Sequence, residues 1–254
     1  MKPLAVLVEA ALAGGNVLKG YFGGDFRISY KGPLNLVTEA DVASEKEVVG
    51  ILKRRFPGSA ILAEESGEES GDSGFRFIID PLDGTTNFAH GYPVFAVSVA
   101  CEEGAEVTAG VVYDPLREEL FTAAKGKGAF LNGRRLGVSA TMRLDEALLV
   151  TGFPYDLKED LTGNLRLFTR FMGASRAIRR DGSAALDLCH VAAGRFDGFW
   201  EEKLGPWDTA AGALIVEEAG GRVSDLAGGP FHYRKGAIVA SNPALHEQMI
   251  ALTI

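Results

Sequence analysis

Apolar residues recur along this chain with two periods, and the switch between them marks its elements. Over residues 3–22, Leu4, Leu7, Val8, Ala11, Leu12, Leu18 and Phe22 return every three or four positions, which predicts a helix. Residues 40–55 repeat the pattern with Val42, Val48, Val49, Ile51 and Leu52, and Pro57-Gly58 ends it. Short apolar runs at 60–63 and 75–80 read as strands. Four more follow, Val94–Cys101, Glu106–Tyr113, Glu119–Ala123 and Ala129–Leu131, with Gly or Pro in most turns, and predict an antiparallel sheet. Beyond a strand at Ala147–Thr151 the chain alternates. Helices are expected at 159–171, 183–193, 208–218 and 243–252, and strands at 175–179, 196–200, 221–224 and 237–240. The organisation expected is therefore a first part, 1–140, of helices plus antiparallel sheet, and a second, 141–254, of alternating α and β, folded as one compact unit. Lys31–Asn35 and Glu68–Gly74 read as surface loops, the first as a mobile flap.

Composition narrows the class. The chain has 254 residues, 46% apolar and 24% charged, which suits a globular protein with a large core. A net charge of −8 argues against a nucleic-acid or membrane-surface partner, because those demand a basic face. It leaves a phosphate substrate open, since bound cations invert a local field. Cys101 and Cys189 read as buried free thiols, with no disulfide framework or zinc site. No uninterrupted apolar span is expected to cross a membrane, and Glu9 breaks any signal-peptide pattern begun at Lys2. The expected localisation is cytoplasmic.

The candidate chemistry sits where apolar elements begin or end. Asp80-Pro81-Leu82-Asp83-Gly84-Thr85-Thr86-Asn87-Phe88 follows the run Phe75–Ile79. Pro81 is expected to stop the strand's hydrogen-bond ladder there. Two carboxylates and the Leu82 carbonyl are then offered to a hard divalent cation, beside backbone amides of Gly84, Thr85 and Thr86 suited to phosphate. Taken alone, the pattern is also an ordinary Asp-x-x-Asp-Gly turn. Two further acids shift that balance. Glu64 follows the strand 60–63, and Asp208, in Trp207-Asp208-Thr209-Ala210-Ala211-Gly212, opens a helix of small residues. Glu64, Asp80, Asp83 and Asp208 together make a plausible four-carboxylate set.

These segments resemble the inositol monophosphatase family of metal-dependent, lithium-inhibited phosphatases. Ala63-Glu64-Glu65-Ser66, the Asp80–Phe88 and Trp207–Gly212 segments carry the resemblance. Leu36-Val37-Thr38-Glu39-Ala40-Asp41, Gly182-Ser183-Ala184-Ala185-Leu186-Asp187 and Asp197–Glu201 agree in the same order. The resemblance implies an α/β (α+β) layered α-β-α-β-α sandwich, found as a homodimer, and a site for two or three Mg²⁺ ions. Its metal ligands match Glu64, Asp80, the carbonyl of Leu82, Asp83 and Asp208. Its phosphate contacts match Gly84 and Thr85, and its inositol contacts match Gly182, Ser183, Ala184 and Glu201, with Asp208 bordering the substrate.

The activity so implied is Mg²⁺-dependent hydrolysis of a small phosphorylated polyol or sugar, foremost inositol 1-phosphate. The nucleophile expected is a metal-bound water oriented by Glu64 and Thr85, with Asp83 among the catalytic acids. Fructose 1,6-bisphosphate and a nucleotide 3′-phosphate are alternative substrates, and a non-catalytic binding protein on the same scaffold is the alternative class. Lys31 is a candidate phosphate contact, whereas Arg179 and Arg180 read first as structural charges. His90, His190, His232 and His246 show no paired ligand spacing and read as core or surface residues. Trp200 and Trp207 read as packing residues beside the site.

Overall fold

The computed structural model describes residues 3–30, 36–154 and 161–254. Its elements, in chain order, begin with α1 (Pro3–Tyr21), β1 (Ile28–Tyr30), β2 (Leu36–Thr38), α2 (Glu39–Arg55), β3 (Ala60–Ala63), β4 (Gly67–Glu69) and β5 (Phe75–Asp83). Then come α3 (Thr85–Ala89), β6 (Ala96–Glu103), β7 (Glu106–Asp114), β8 (Glu119–Ala124), β9 (Gly128–Leu131) and β10 (Arg134–Arg135). The rest comprises β11 (Leu148–Thr151), α4 (Leu161–Ala174), β12 (Ala177–Arg179), α5 (Ala184–Ala192), β13 (Gly198–Glu201), α6 (Pro206–Glu218), β14 (Arg222–Ser224), β15 (Ile238–Ser241) and α7 (Pro243–Thr253).

Two large sheets organise the molecule. The first has eight strands in the order β10-β9-β8-β7-β6-β5-β3-β4, antiparallel except where β3 runs parallel to β5. The second has the order β12-β11-β13-β15-β14, parallel across its first three strands and antiparallel beyond. Helices α1 and α2 cover one face of the eight-stranded sheet, α5 and α6 lie between the sheets, and α4 and α7 cover the far face of the second. The layers therefore run α-β-α-β-α.

Both faces of the central strands are buried, so alternate residues serve different cores. On β5, Phe77 and Ile79 pack towards α1 and α2 while Ile78 packs towards α5 and α6. On β13, Phe199 faces the inner helices and Trp200 faces α4 and α7, where it stacks on Phe171 at 3.9 Å. Cys101 and Cys189 are buried free thiols.

Three expectations need correction. Pro81 does not end its strand: β5 continues to Asp83 through a bulge, with Asp80 opposite Ser98 and Asp83 opposite Ala96. Sheets tolerate proline at bulges, and here Pro81 also lies beyond the last β3–β5 pair, Ala63 opposite Ile79. Glu68–Gly74 is not all loop, because Gly67–Glu69 pairs with β3 as an exposed edge strand. Finally, α1 is by length and composition apolar enough to cross a membrane. In the fold its Val6, Leu7, Ala10, Ala11 and Leu18 are buried in the first core, and its outer face carries Glu9 and Lys19. Lys31 and the loop around it lie outside the described residues.

Candidate active site

The bulge in β5 decides where its acids point. Side chains alternate along a strand, so residues three apart normally face opposite ways. Here three steps on β5 match two on β6, and the extra residue brings Asp83 back to the face that Asp80 uses. That face looks onto α5 and α6. Glu64 reaches it too: it follows Leu62 by two positions at the end of β3, and its amide donates to the Ile79 carbonyl at 3.2 Å. Glu45 fixes the turn beyond, accepting the Glu65 and Ser66 amides at 2.9 Å each.

Asp208 arrives from the opposite layer. It occupies the first turn of α6 and accepts the Gly205 amide at 2.6 Å, and the Trp207 carbonyl accepts from Ser98 at 3.1 Å. Small residues let α6 come this near. A Cβ on Gly110 of β7 would stand 3.0 Å from the Ala211 backbone, and one on Gly212 would stand 2.7 Å from Leu188 of α5.

One carboxylate oxygen from each of Asp80, Asp83 and Asp208 consequently lies within 4.8 Å of the others. They line a cavity of about 330 Å³ with Glu64, Leu82, Gly84, Thr85 and Glu201. A contiguous cavity of about 320 Å³, sharing Asp83, Gly84, Glu201 and Asp208, adds Gly182, Ser183 and Ala184 together with Arg180 and Asp187. Every site residue anticipated from the sequence thus borders one connected cleft. Arg179 instead lies exposed on the edge strand β12, whereas Arg180 faces the cleft. Trp207 lines the cavity, while Trp200 belongs to the outer core.

Local hydrogen bonds hold these groups in place. Asp83 accepts from the Ser183 hydroxyl at 2.6 Å and the Ala185 amide at 2.7 Å, which ties β5 to the start of α5. Asp80 accepts the Leu82 amide at 3.0 Å. Gly84 follows with φ 98°, and a Cβ there would stand 2.8 Å from the Val94 carbonyl, so glycine is required at this corner. The Thr85 hydroxyl lies 2.9 Å from Asp41 and 3.0 Å from the Leu82 carbonyl.

Asp41 is a functional candidate that the sequence reading passed over. It is fully buried, and its other oxygen accepts the Thr38 amide and hydroxyl as part of the cap of α2. Its capping pattern gave a sufficient local reason for an acid there, so the link to Thr85 was hidden. Gly152 is a second omission. A Cβ on it would collide with the Glu201 carboxylate, which therefore owes its position to a missing side chain.

Burial and mutual repulsion dominate the electrostatics of the site's aspartates. Burial, then Glu64, Asp83 and Asp208, drive Asp80 well above the usual carboxylate range. Asp208 is raised by burial and then by Asp83 and Glu64, and none of the leading influences on either acid is a cation. Asp83 is raised to about 6, mainly by burial against the opposing bonds from Ser183 and Ala185. Glu201 is raised by burial and by Asp208. An all-oxygen donor set whose buried aspartates raise one another fits hard divalent cations such as Mg²⁺.

Comparison with known proteins bears on family and fold. The model of the inositol monophosphatase family matches residues 2–253. The chain is 48% identical to an inositol-1-monophosphatase of Synechocystis sp. over 97% of its own length and 86% of that protein's. It is 50% identical to the Nus factor SuhB of Pseudomonas aeruginosa, over 85% of this chain and 81% of that one. The crystal structure of the extragenic suppressor protein suhB from Bartonella henselae superposes with a TM-score of 0.94 at 45% identity, covering 99% of this chain and 98% of that one.

Proposed function

Because the chain belongs to the inositol monophosphatase family and is a phosphatase, we propose that it hydrolyses a small phosphorylated polyol, foremost inositol 1-phosphate, with Mg²⁺ as cofactor. The observation that carries this reading is the convergence of Asp80, Asp83 and Asp208 oxygens within 4.8 Å beside a cleft that Glu201 lines. Glu64, Asp80, the Leu82 carbonyl, Asp83 and Asp208 would hold the ions. When bound, Mg²⁺ supplies charge to the phosphoryl oxygens and leaving alkoxide and lowers the pKa of water.

The protein's own residues do the remaining work. The Gly84 and Thr85 amides bind the phosphate. Thr85 directs its proton towards Asp41 or the Leu82 carbonyl, which leaves a hydroxyl lone pair to accept from the attacking water. Glu64, on the same wall, takes the second hydrogen and fixes the line of attack. Glu201, which lines the metal side and the adjoining cavity alike, accepts hydrogen bonds from polyol hydroxyls, with Gly182, Ser183 and Ala184 forming the adjoining wall.

Phosphate release from inositol 1-phosphate, fructose 1,6-bisphosphate, NADP and 3′-phosphoadenosine 5′-phosphate, with and without Mg²⁺, tests the assignment. Turnover highest on inositol 1-phosphate and suppressed by lithium is expected. A higher kcat/KM on any of the other three would replace the substrate, and no release from all four would end the reading. Relatives named Nus factor SuhB favour a second role, association with a protein or RNA partner. The net charge of −8 makes a protein the better candidate. A pull-down in which Asp80→Asn removes turnover but keeps the partner would separate the two roles.

A further inference from the structure

Helix α5 carries a second set of ligand-type side chains that the phosphatase chemistry leaves idle. Asp187 and His190 are three residues apart on this helix and so share a face. Asp181 approaches them from the segment before it. One carboxylate oxygen of each aspartate and one ring nitrogen of His190 lie within 4.8 Å of one another.

Asp187 and His190 are buried without partners. Asp187 is 1% exposed and neither of its oxygens receives a hydrogen bond; His190 is 9% exposed and both ring nitrogens are likewise unpaired. Buried polar atoms in folded proteins almost always find a partner, so two buried side chains with no partner, each turning one ligand atom towards the other and towards Asp181, call for a ligand. The cations whose charge reaches this space are Arg117, Arg179, Arg180 and Arg195. Two of them are committed elsewhere: Arg117 to Asp114 and the Pro93 carbonyl, and Arg195 to Glu119. Phe121 and Phe196 meet the imidazole edge to face and hold its plane.

We propose that Asp181, Asp187 and His190 form a second cation site, separate from the Asp80–Asp83–Asp208 cluster, that takes a borderline divalent ion such as Zn²⁺. One nitrogen with two carboxylates suits Zn²⁺ better than Mg²⁺, which prefers oxygen alone. Ligands about 2.0–2.2 Å from a tetrahedral Zn²⁺ stand about 3.4 Å apart, so atoms within 4.8 Å of one another need draw together by at most about 1.4 Å. A carboxylate and a histidine at i and i+3 is also how helical bundles present metal ligands. Asp181 is only partly buried and gives the ion a way in. An ion here braces α5 near its start, where Ser183 and Ala185 hold Asp83.

The test removes the other cluster first. The Asp80→Asn, Asp208→Asn protein is stripped with chelator and titrated with Zn²⁺, with metal content read by mass spectrometry and ligand type by the visible bands of Co²⁺. One Zn²⁺ per chain is expected, and His190→Gln on that background is expected to weaken it at least about tenfold and to change the Co²⁺ spectrum. Asp187→Asn gives the same weakening and carries the test if the histidine variant does not fold. Failure to retain any Zn²⁺, with Asp187 simply protonated, overturns the site. So does a Zn²⁺ affinity that neither variant alters.

Discussion

Loading Mg²⁺ onto Asp80, Asp83 and Asp208 must expel protons, and this fixes how steeply affinity depends on pH. Asp83, raised to about 6, is roughly one-tenth ionised at pH 5 and roughly nine-tenths at pH 7. That group alone strengthens binding about tenfold, or about 1.4 kcal/mol, between those values. Asp80 and Asp208 are shifted in the same direction, so the gain is at least this large. Stability carries the opposite sign in the metal-free protein. A carboxyl raised on folding contributes no penalty below its unfolded value near 3.8 and the full penalty above about 6, worth about 3 kcal/mol for Asp83. Bound Mg²⁺ removes the penalty. Thermal unfolding with Mg²⁺ and with chelator should therefore nearly coincide at pH 4 and separate as pH climbs to 7, by roughly 6–12 °C for a chain of this size. Calorimetric titration in buffers of different ionisation enthalpy counts the protons released. A Mg²⁺ affinity that is flat from pH 5 to 7, or a gap in melting temperature that does not widen, would refute the shared-cluster reasoning.

Substitutions separate the roles. Asp83→Asn should reduce kcat by more than about 100-fold while circular dichroism stays native, because a ligand charge is lost while an amide oxygen in the place of Oδ2 still accepts from Ser183 and Ala185; near-normal turnover would remove Asp83 from the metal site. Thr85→Val should lower kcat with little change in KM, and Thr85→Ser should restore most of it, since the hydroxyl towards Asp41 is what matters. Glu201→Gln should raise KM for inositol 1-phosphate about 10- to 100-fold and reorder the substrates, with Mg²⁺ affinity little changed; an unaltered ranking would make Glu201 a wall residue only. His246, buried between Ser241 and Ser224 and lowered to about 4 by burial, favours its neutral form in the fold. Its stabilising contribution, about 3 kcal/mol, is complete above about 6.5 and lost as pH falls towards 4, so His246→Gln should flatten acid unfolding in that window.

The elements were legible in the sequence where periodicity is strong, and for a physical reason. Strands buried on both faces, such as β5, β6 and β7, must be apolar throughout, and helices with one core face must repeat near 3.6. What escaped was β4, an exposed edge strand whose Gly-Glu-Glu shows no alternation because neither face is buried. The prolonged β5 escaped too, since Pro81 normally ends a ladder and only the partner strand reveals the bulge. The membrane-length apolarity of α1 was missed because Glu9 was weighted as an interruption, whereas its buried stripe is what the first core requires.

The site divides along the same line. Glu64, Asp80, Asp83 and Asp208 stand out because each sits at the end of an element, where an acid has no local reason to be paired with three others. Asp41 and Gly152 do not, since their meaning depends on contacts 44 and 49 residues away along the chain: Asp41 with Thr85, and Gly152 with Glu201. The bulge joins the two kinds of information. A regular strand would turn Asp80 and Asp83 to opposite faces, one towards α1 and α2 and the other towards α6, and no cation could bridge them. The Pro81-Leu82 pair is therefore part of the chemistry: it spends one residue of β5 to put both carboxylates on the face where the small residues of α6 let Asp208 descend.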